Sequence, residues 1–343
     1  MGGKLKKALV FIMVLFIGIN IFSDNVFAAI DKYPYIDARC AVAIDSKSKV
    51  VLYEKNAYEL VPMASTTKIM TSLVAIKYGN LDKKVEISVR SAGIRGSTVG
   101  YKKGEKIKLR ELLYGLMLRS GNDAAIAISE GVSGSVEEFV KLMNEYASGI
   151  GILNTHFETP HGLDKDEHYS TAYDLALVAS KAKENKIFND IVGSKDVDGE
   201  KTGYTGKAGK CLVTSAKFKE NDIVMVVLNC PGRWKETKKI YDYVSKNYEF
   251  KKIFSKGKIA LKLNVGKKQL KLKYGEDVVI PIDKRCKYTS KIIKPQKIVS
   301  TVKKGDNVGE LYIYKDGKKI YNSPLKAGNA VKLGNKFILP FFH

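Results

Sequence analysis

The sequence predicts an α/β (α+β) fold, with one antiparallel sheet and a helical subdomain, followed by a small all-β domain. Three observations predict it. β-rich runs stand at both ends of the longer N-terminal part, "CAVAID" and "VVLYEKN" in front and "CLVTSAKF" and "IVMVVLNC" behind, with helical patterns between them. After Ser255 the helical patterns stop and short β-like runs replace them. The charge shifts at the same place. The chain of 343 residues carries a formal charge of +23, and the part from Ser255 onward holds 21 Lys and Arg against 6 Asp and Glu. The expected organisation is a signal peptide over 1–28, a mixed α/β domain over 29–254 and a β-rich domain over 255–343.

The first residues have the three parts of a secretory signal: Lys4, Lys6 and Lys7, the apolar run Ala8 to Ile21, and "VFA" ending at Ala28 as a small-residue cleavage site. The apolar run is about 14 residues, short of the ~20 that span a bilayer. The alternative is an uncleaved membrane anchor. An exported chain with this charge suits anionic wall polymers or lipid headgroups as partners and makes nucleic acid implausible. A merely solvated basic surface is the plainer reading. Cys40, Cys211, Cys230 and Cys286 show no C-x-x-C spacing and read as buried free thiols.

The elements follow in order. "CAVAID", "SKSK" and "VVLYEKN" form a hairpin with a polar turn. "TKIMTSLVAIKYG" is a buried helix stopping at Gly79. The stretch from Lys84 to Lys106 is polar and contains glycines. "KLRELLYGLMLRSGNDAAIAISEGV" reads as two helices hinged at "SGN", with Leu109, Leu112, Leu113, Leu116 and Met117 at helical spacing. "SVEEFVKLMNEYASGIG" is an amphipathic helix with Ser135 as N-cap and Glu138 completing a capping box. "STAYDLALVASKAKEN" is a helix from about Thr171. "GEKTGYTG" and "CLVTSAKF", "KEND", "IVMVVLNC" are antiparallel strands. A four-residue "KEND" loop sets Cys211 opposite Cys230; a two-residue loop at Lys219-Glu220 sets it opposite Leu228. "KETKKIYDYVSKNYEFKKI" reads as one long final helix. In the β-rich part, "KDGKK" marks a hairpin turn at Asp316-Gly317.

Three short motifs carry chemistry. Ser65 and Lys68 are spaced i, i+3, so on a helix the hydroxyl and the amine share a face. Serine needs a base to take its proton, and lysine serves if burial or a nearby cation lowers its pKa. A helix N-terminus also points free N–H groups at a reacting carbonyl. Alone, S-x-x-K is common, and a capped helix with a snorkelling lysine explains it as well. The second motif is "SGN". Ser120 offers a hydroxyl and Asn122 an amide that both donates and accepts. The third is "KTG". Lys201 supplies charge, Thr202 a hydroxyl, and Gly203 leaves room for a substrate to lie along the strand. No metal signature accompanies them: H-E-x-x-H is absent, and no cofactor is expected. "TPHGLD" places His161 near Asp164, but no G-x-S-x-G elbow supports a Ser–His–Asp triad, so a loop role is the better reading of His161.

S-x-x-K, S-x-N and K-T-G together are the signature set of the penicillin-binding proteins and serine β-lactamases. The chain most resembles the low-molecular-mass penicillin-binding proteins, serine-type D-alanyl-D-alanine carboxypeptidases of the peptidase S11-like family. "ASTTKIMT", "LLYGLMLRSGNDAA", "THFETPHGLD", "STAYDLA" and "KTGYTGKAGKCLV" carry the resemblance. It implies a transpeptidase-like fold and removal of the terminal D-alanine from peptidoglycan stem peptides, with β-lactams as covalent inhibitors. It implies that Ser65 is acylated, that Lys68 takes its proton and that Ser120 relays a proton to the leaving group. It implies that Asn122 holds the substrate amide, that Lys201, Thr202 and Arg233 bind the terminal carboxylate, and that the N–H groups of Ser65 and Tyr204 form the oxyanion hole. It places the protein in the cell envelope or outside the cell, with the outer face of the cytoplasmic membrane as one location. Lys207 and Lys210 depart from the acidic or neutral residues often seen there, and "KFILPFFH" does not read as the long amphipathic helix that anchors several relatives. A β-lactamase-like hydrolase and a non-catalytic wall- or antibiotic-binding protein are the competing readings. The first lacks a convincing E-x-x-L-N segment, and the intact motifs oppose the second.

Overall fold

The computed structural model describes residues 33–193, 201–298 and 300–332. The expected signal peptide and the final "KFILPFFH" lie outside the described residues. The chain divides into two compact units between Phe250 and Lys251.

In the first unit, β1 (Cys40–Asp45) and β2 (Val51–Lys55) form the expected hairpin. A single 3-10 turn, Ala64–Thr67, then leads into α1 (Lys68–Tyr78). Every residue of α1 from Lys68 to Ala75 is buried. A helix apolar all round belongs inside a core, and the polar residues of α1 find partners there: Thr71 Oγ1 donates to the Pro160 carbonyl at 2.6 Å and Ser72 Oγ to the Lys68 carbonyl at 3.0 Å. The stretch from Lys84 to Lys106 is more ordered than its composition suggests. It opens with β3 (Lys84–Glu86) and a short α2 (Val89–Ala92), and β3 pairs with β4 (Lys106–Lys108).

α3 (Leu109–Leu118) and α4 (Asn122–Ser133) meet at the hinge "SGN". α5 (Val136–Gly149) starts at Ser135, whose hydroxyl accepts the Glu138 N–H at 3.1 Å. The other half of the expected capping box does not form, because the Glu138 carboxylate turns to Lys141 at 2.6 Å. α6 (Ala172–Lys183) starts at Thr171 as expected, and α7 (Lys186–Val192) follows from Asn185, a helix too short to show a period in sequence.

β5 (Lys201–Thr205), β6 (Gly209–Phe218) and β7 (Asn221–Leu228) complete a five-stranded sheet in the order β2-β1-β7-β6-β5, with β5 at one edge. Alternate residues of β7 divide between two cores: Val224, Val226 and Leu228 pack toward the helices, and Ile223, Met225 and Val227 toward α8 (Arg233–Asn247). The β6–β7 loop has two residues, with Phe218 opposite Asn221. The four-residue loop is therefore incorrect, and Cys211 does not face Cys230. All four cysteines are free. Three are buried, while Cys286 is partly exposed.

The long final helix is also corrected. α8 ends at Asn247, and β8 (Tyr248–Phe254) continues extended. Buried Tyr248 takes extended backbone, and its hydroxyl donates to the Leu52 carbonyl at 2.9 Å. β8 pairs with β11 (Val278–Asp283), introduced after β9 (Ile259–Val265) and β10 (Lys268–Tyr274). With β12 (Tyr288–Ile293), β13 (Asn307–Lys315) and β14 (Lys318–Ala327), the second unit holds a five-stranded antiparallel sheet in the order β12-β13-β14-β10-β9. The β13–β14 turn is the expected Asp316-Gly317, both residues at positive φ, the backbone a two-residue hairpin of this twist needs.

Candidate active site

Ser65 lies in the 3-10 turn, one turn before Lys68 opens α1. Lys68 Nζ stands 2.9 Å from Ser65 Oγ, 2.7 Å from Asn122 Oδ1 and 2.8 Å from the His161 carbonyl oxygen. The side chain is fully buried. Its pKa is held well below the ordinary lysine range, first by burial and then by the charge of Lys201, while the Asp123 carboxylate pulls the other way. A neutral amine has two N–H donors and one lone pair. Asn122 Oδ1 and the His161 carbonyl take the donors, which leaves the lone pair directed at the Ser65 hydroxyl. Among the described residues no carboxylate bonds Ser65 or Lys68.

Asn122 begins α4, and its amide is held at both ends: Nδ2 donates to the Arg95 carbonyl at 2.7 Å while Oδ1 accepts from Lys68. Ser120 precedes it in the left-handed region, φ 56°. A serine in that conformation carries backbone strain of the kind found where a side chain must be aimed. Its hydroxyl has no hydrogen-bond partner among the described residues, so it stands available at the hinge.

β5 runs along the other side of Ser65. A Cβ on Gly203 would sit 2.9 Å from Ser65 N and 3.0 Å from Ala64 Cβ, so only glycine allows the strand this close. Lys201 is buried, and its Nζ donates to the Thr202 carbonyl at 2.9 Å. Thr202 is half-buried, and the Tyr204 side chain is exposed. Arg233, the first residue of α8, donates from Nη1 to the carbonyls of Gly203 at 2.9 Å and Cys211 at 3.2 Å. Its guanidinium therefore fixes the backbone of β5 and β6 beside the cleft. The resemblance had given it only a carboxylate-binding part.

Two groups essential to this geometry escape motif reading. His161 contributes a backbone carbonyl, which no side-chain pattern reveals. Its imidazole is pushed down to about 3 by burial and then by the Lys68 charge, and Nδ1 accepts the Leu163 N–H at 3.2 Å. Asp164 bonds Thr205 Oγ1 at 2.7 Å instead, so no His–Asp pair forms. Asp123 is the second. Buried in the first turn of α4, its carboxylate accepts the N–H groups of Val99, Gly100, Tyr101 and Ala124 at 2.8 to 3.3 Å and so ties the segment 99–101 to the start of α4. An acidic residue directly after S-x-N, at the N-terminus of an apolar helix, was the available signal.

The family model described as D-alanyl-D-alanine carboxypeptidase matches residues 27–191 and 182–232, and that described as Penicillin-binding protein 5, C-terminal domain matches 248–333. The chain is 32% identical to D-alanyl-D-alanine carboxypeptidase DacF of Bacillus subtilis, over 86% of each chain. It is 33% identical to D-alanyl-D-alanine carboxypeptidase DacC of Escherichia coli, over 92% of this chain and 90% of that one. The crystal structure of penicillin binding protein 5 from Haemophilus influenzae superposes with a TM-score of 0.76 at 30% identity, covering 88% of this chain and 99% of that chain. With both family models matched along the chain, and relatives above 30% identity over most of its length, the chain belongs to the D-alanyl-D-alanine carboxypeptidase family of serine peptidases, S11.

Proposed function

We propose that the protein is a serine-type D-Ala-D-Ala carboxypeptidase that removes the terminal D-alanine of peptidoglycan stem peptides through an acyl-enzyme on Ser65. The observation that carries this reading is the buried Lys68 amine at 2.9 Å from Ser65 Oγ with its other two partners already engaged. Substrate adds along the free edge of β5, its carboxylate toward Lys201, Thr202 and Arg233 and its scissile carbonyl between the N–H groups of Ser65 and Tyr204. Asn122 receives the substrate amide. Lys68 takes the Ser65 proton as Oγ attacks. The tetrahedral oxyanion collapses, the C–N bond breaks, and the proton returns through Lys68 and Ser120 to the amine of the departing D-alanine. Water then releases the shortened peptide.

β-Lactams enter the same site and acylate Ser65. The absence of a carboxylate on Ser65 or Lys68 among the described residues favours a long-lived adduct over fast hydrolysis, which separates this reading from a β-lactamase. Incubation with a pentapeptide ending in D-Ala-D-Ala, with products identified by mass, should give the tetrapeptide and free D-alanine. An unchanged peptide refutes the activity.

The family's chemistry and the N-terminal pattern support export to the cell envelope. In this reading residues 29–254 perform the chemistry, and the basic residues from 255 onward associate with anionic wall polymers or lipid headgroups. Cosedimentation with purified walls and with anionic vesicles should fall steeply as salt is raised; binding insensitive to salt refutes the electrostatic reading.

A further inference from the structure

Ala64, the residue before the nucleophile, sits in the left-handed region at φ 49° with a Cβ to accommodate. Something must hold it there. Its carbonyl oxygen accepts from Thr67 Oγ1 at 2.8 Å. Gly162, itself at φ 87°, lies against the same oxygen so closely that a Cβ would come within 2.0 Å of it. Thr67 has spent its proton on Ala64, so its lone pairs are open, and His168 Nε2 stands 2.9 Å away. The direction of that bond is fixed from the far side of the ring. His168 Nδ1 accepts the Glu158 N–H at 3.0 Å, so Nδ1 carries no proton and Nε2 does. His168, Thr67 and Ala64 are all buried, and the Phe157 ring packs against the imidazole in a T-shaped pair.

We propose that His168 is a positioning residue for Ser65, acting through the Thr67 hydroxyl and the Ala64 carbonyl. The relay rests on Ser65 being the nucleophile. It runs from the segment between α5 and α6, through a uniquely oriented imidazole, to the peptide bond that sets the direction of the Ser65 side chain. Without it the Ala64 carbonyl loses the Thr67 hydroxyl and keeps only the backbone bonding of the 3-10 turn and the Gly162 contact, so the strained left-handed conformation is held less firmly. A misplacement of the nucleophile of about 1 Å costs on the order of a hundredfold in rate. The titratable groups acting on His168 are His156, His161, Asp164 and Lys165 from its own segment. On the turn it meets, the contact is the uncharged Thr67, followed in sequence by Lys68. Burial, before any of these charges, pushes the His168 imidazole down to about 4. Nδ1 therefore keeps its acceptor role at neutral pH.

The test is the rate of Ser65 acylation by a fluorescent penicillin in the full chain, saturated to separate the acylation step from initial binding. His168→Gln places an N–H near the Nε2 position and should stay within about tenfold of the parent. His168→Asn cannot reach Thr67 and should lose about a hundredfold in the acylation step with initial binding unchanged. Thr67→Ser should be near normal, and Thr67→Val should fall as far as His168→Asn. The double variant His168→Asn, Thr67→Val should be no slower than Thr67→Val alone, because both act through one relay. Normal acylation in His168→Asn, or losses that multiply in the double variant, would overturn the proposal. If His168→Asn does not fold, the Thr67 pair decides: equal rates for Thr67→Ser and Thr67→Val overturn it. A parent that acylates a residue other than Ser65 points instead to failure of the serine reading.

Discussion

Several effects converge on Lys68, the proposed base. Burial disfavours its charge, Lys201 disfavours it further, and two fixed acceptors leave its lone pair for Ser65. The base must be neutral, so activity rises as pH climbs through the lowered Lys68 pKa. Removing the Lys201 charge lets Lys68 hold its proton more tightly. Lys201→Ala should therefore move the acid limb of kcat/KM to higher pH and lower the rate on D-Ala-D-Ala peptides about ten- to a hundredfold, since a charge-assisted contact contributes roughly 1.5–3 kcal/mol. Lys201→Arg should shift the limb less. A pH–rate profile of the three proteins on one peptide checks this, and coincident profiles would remove Lys201 from the account. Lys68→Arg should not acylate at all, because a guanidinium stays protonated; labelling at near-parental rate would require another base. Ser65 and Lys68 were legible because their side chains spell their chemistry. The His161 carbonyl was not, since every residue has one.

At the scale of elements, the catalytic arrangement is a contact between an edge strand and a turn. β5 lies so near the Ala64–Thr67 turn that Gly203 has no room for a side chain. Gly203→Val should leave the fold in place, because β5 is an edge strand among the described residues, and should reduce penicillin acylation at least about a hundredfold through the displaced oxyanion site. Labelling rate and circular dichroism measured together separate the two; full-speed labelling would show that the strand does not form the site. The helices with strong periods, α3 to α6, were readable from their apolar spacing. β8 was misread because charged residues fill a helix surface and a strand edge equally well, and only the buried Tyr248 marks the change. The β6–β7 register turned on two residues of loop, which composition does not fix: Lys219 takes φ 56° without being glycine or asparagine.

The whole molecule is two compact units that differ in charge. The catalytic unit carries two buried imidazoles, His161 and His168, at about 3 and about 4 against an ordinary 6.5. The unfolded chain binds protons that the native state refuses. Stability is therefore full above about pH 6.5 and declines as pH falls toward 4. Thermal melts of the full chain across that window should show the catalytic transition falling, while the second unit, with no histidine among its described residues, gains no such slope from this source. A catalytic transition flat from pH 7 to pH 4 would contradict the buried neutral imidazoles. The two-part organisation was visible in the composition shift near Ser255. The division falls slightly earlier, at Phe250, because β8 already pairs with β11.

The central claim is that Ser65 is the acylated nucleophile and Lys68 its base. Mass mapping of the full chain after incubation with penicillin, beside Ser65→Ala and Lys68→Arg, tests it most directly. One adduct is expected, on the peptide containing Ser65, in the parent only. An adduct on another residue, or one that persists in Ser65→Ala, would contradict it.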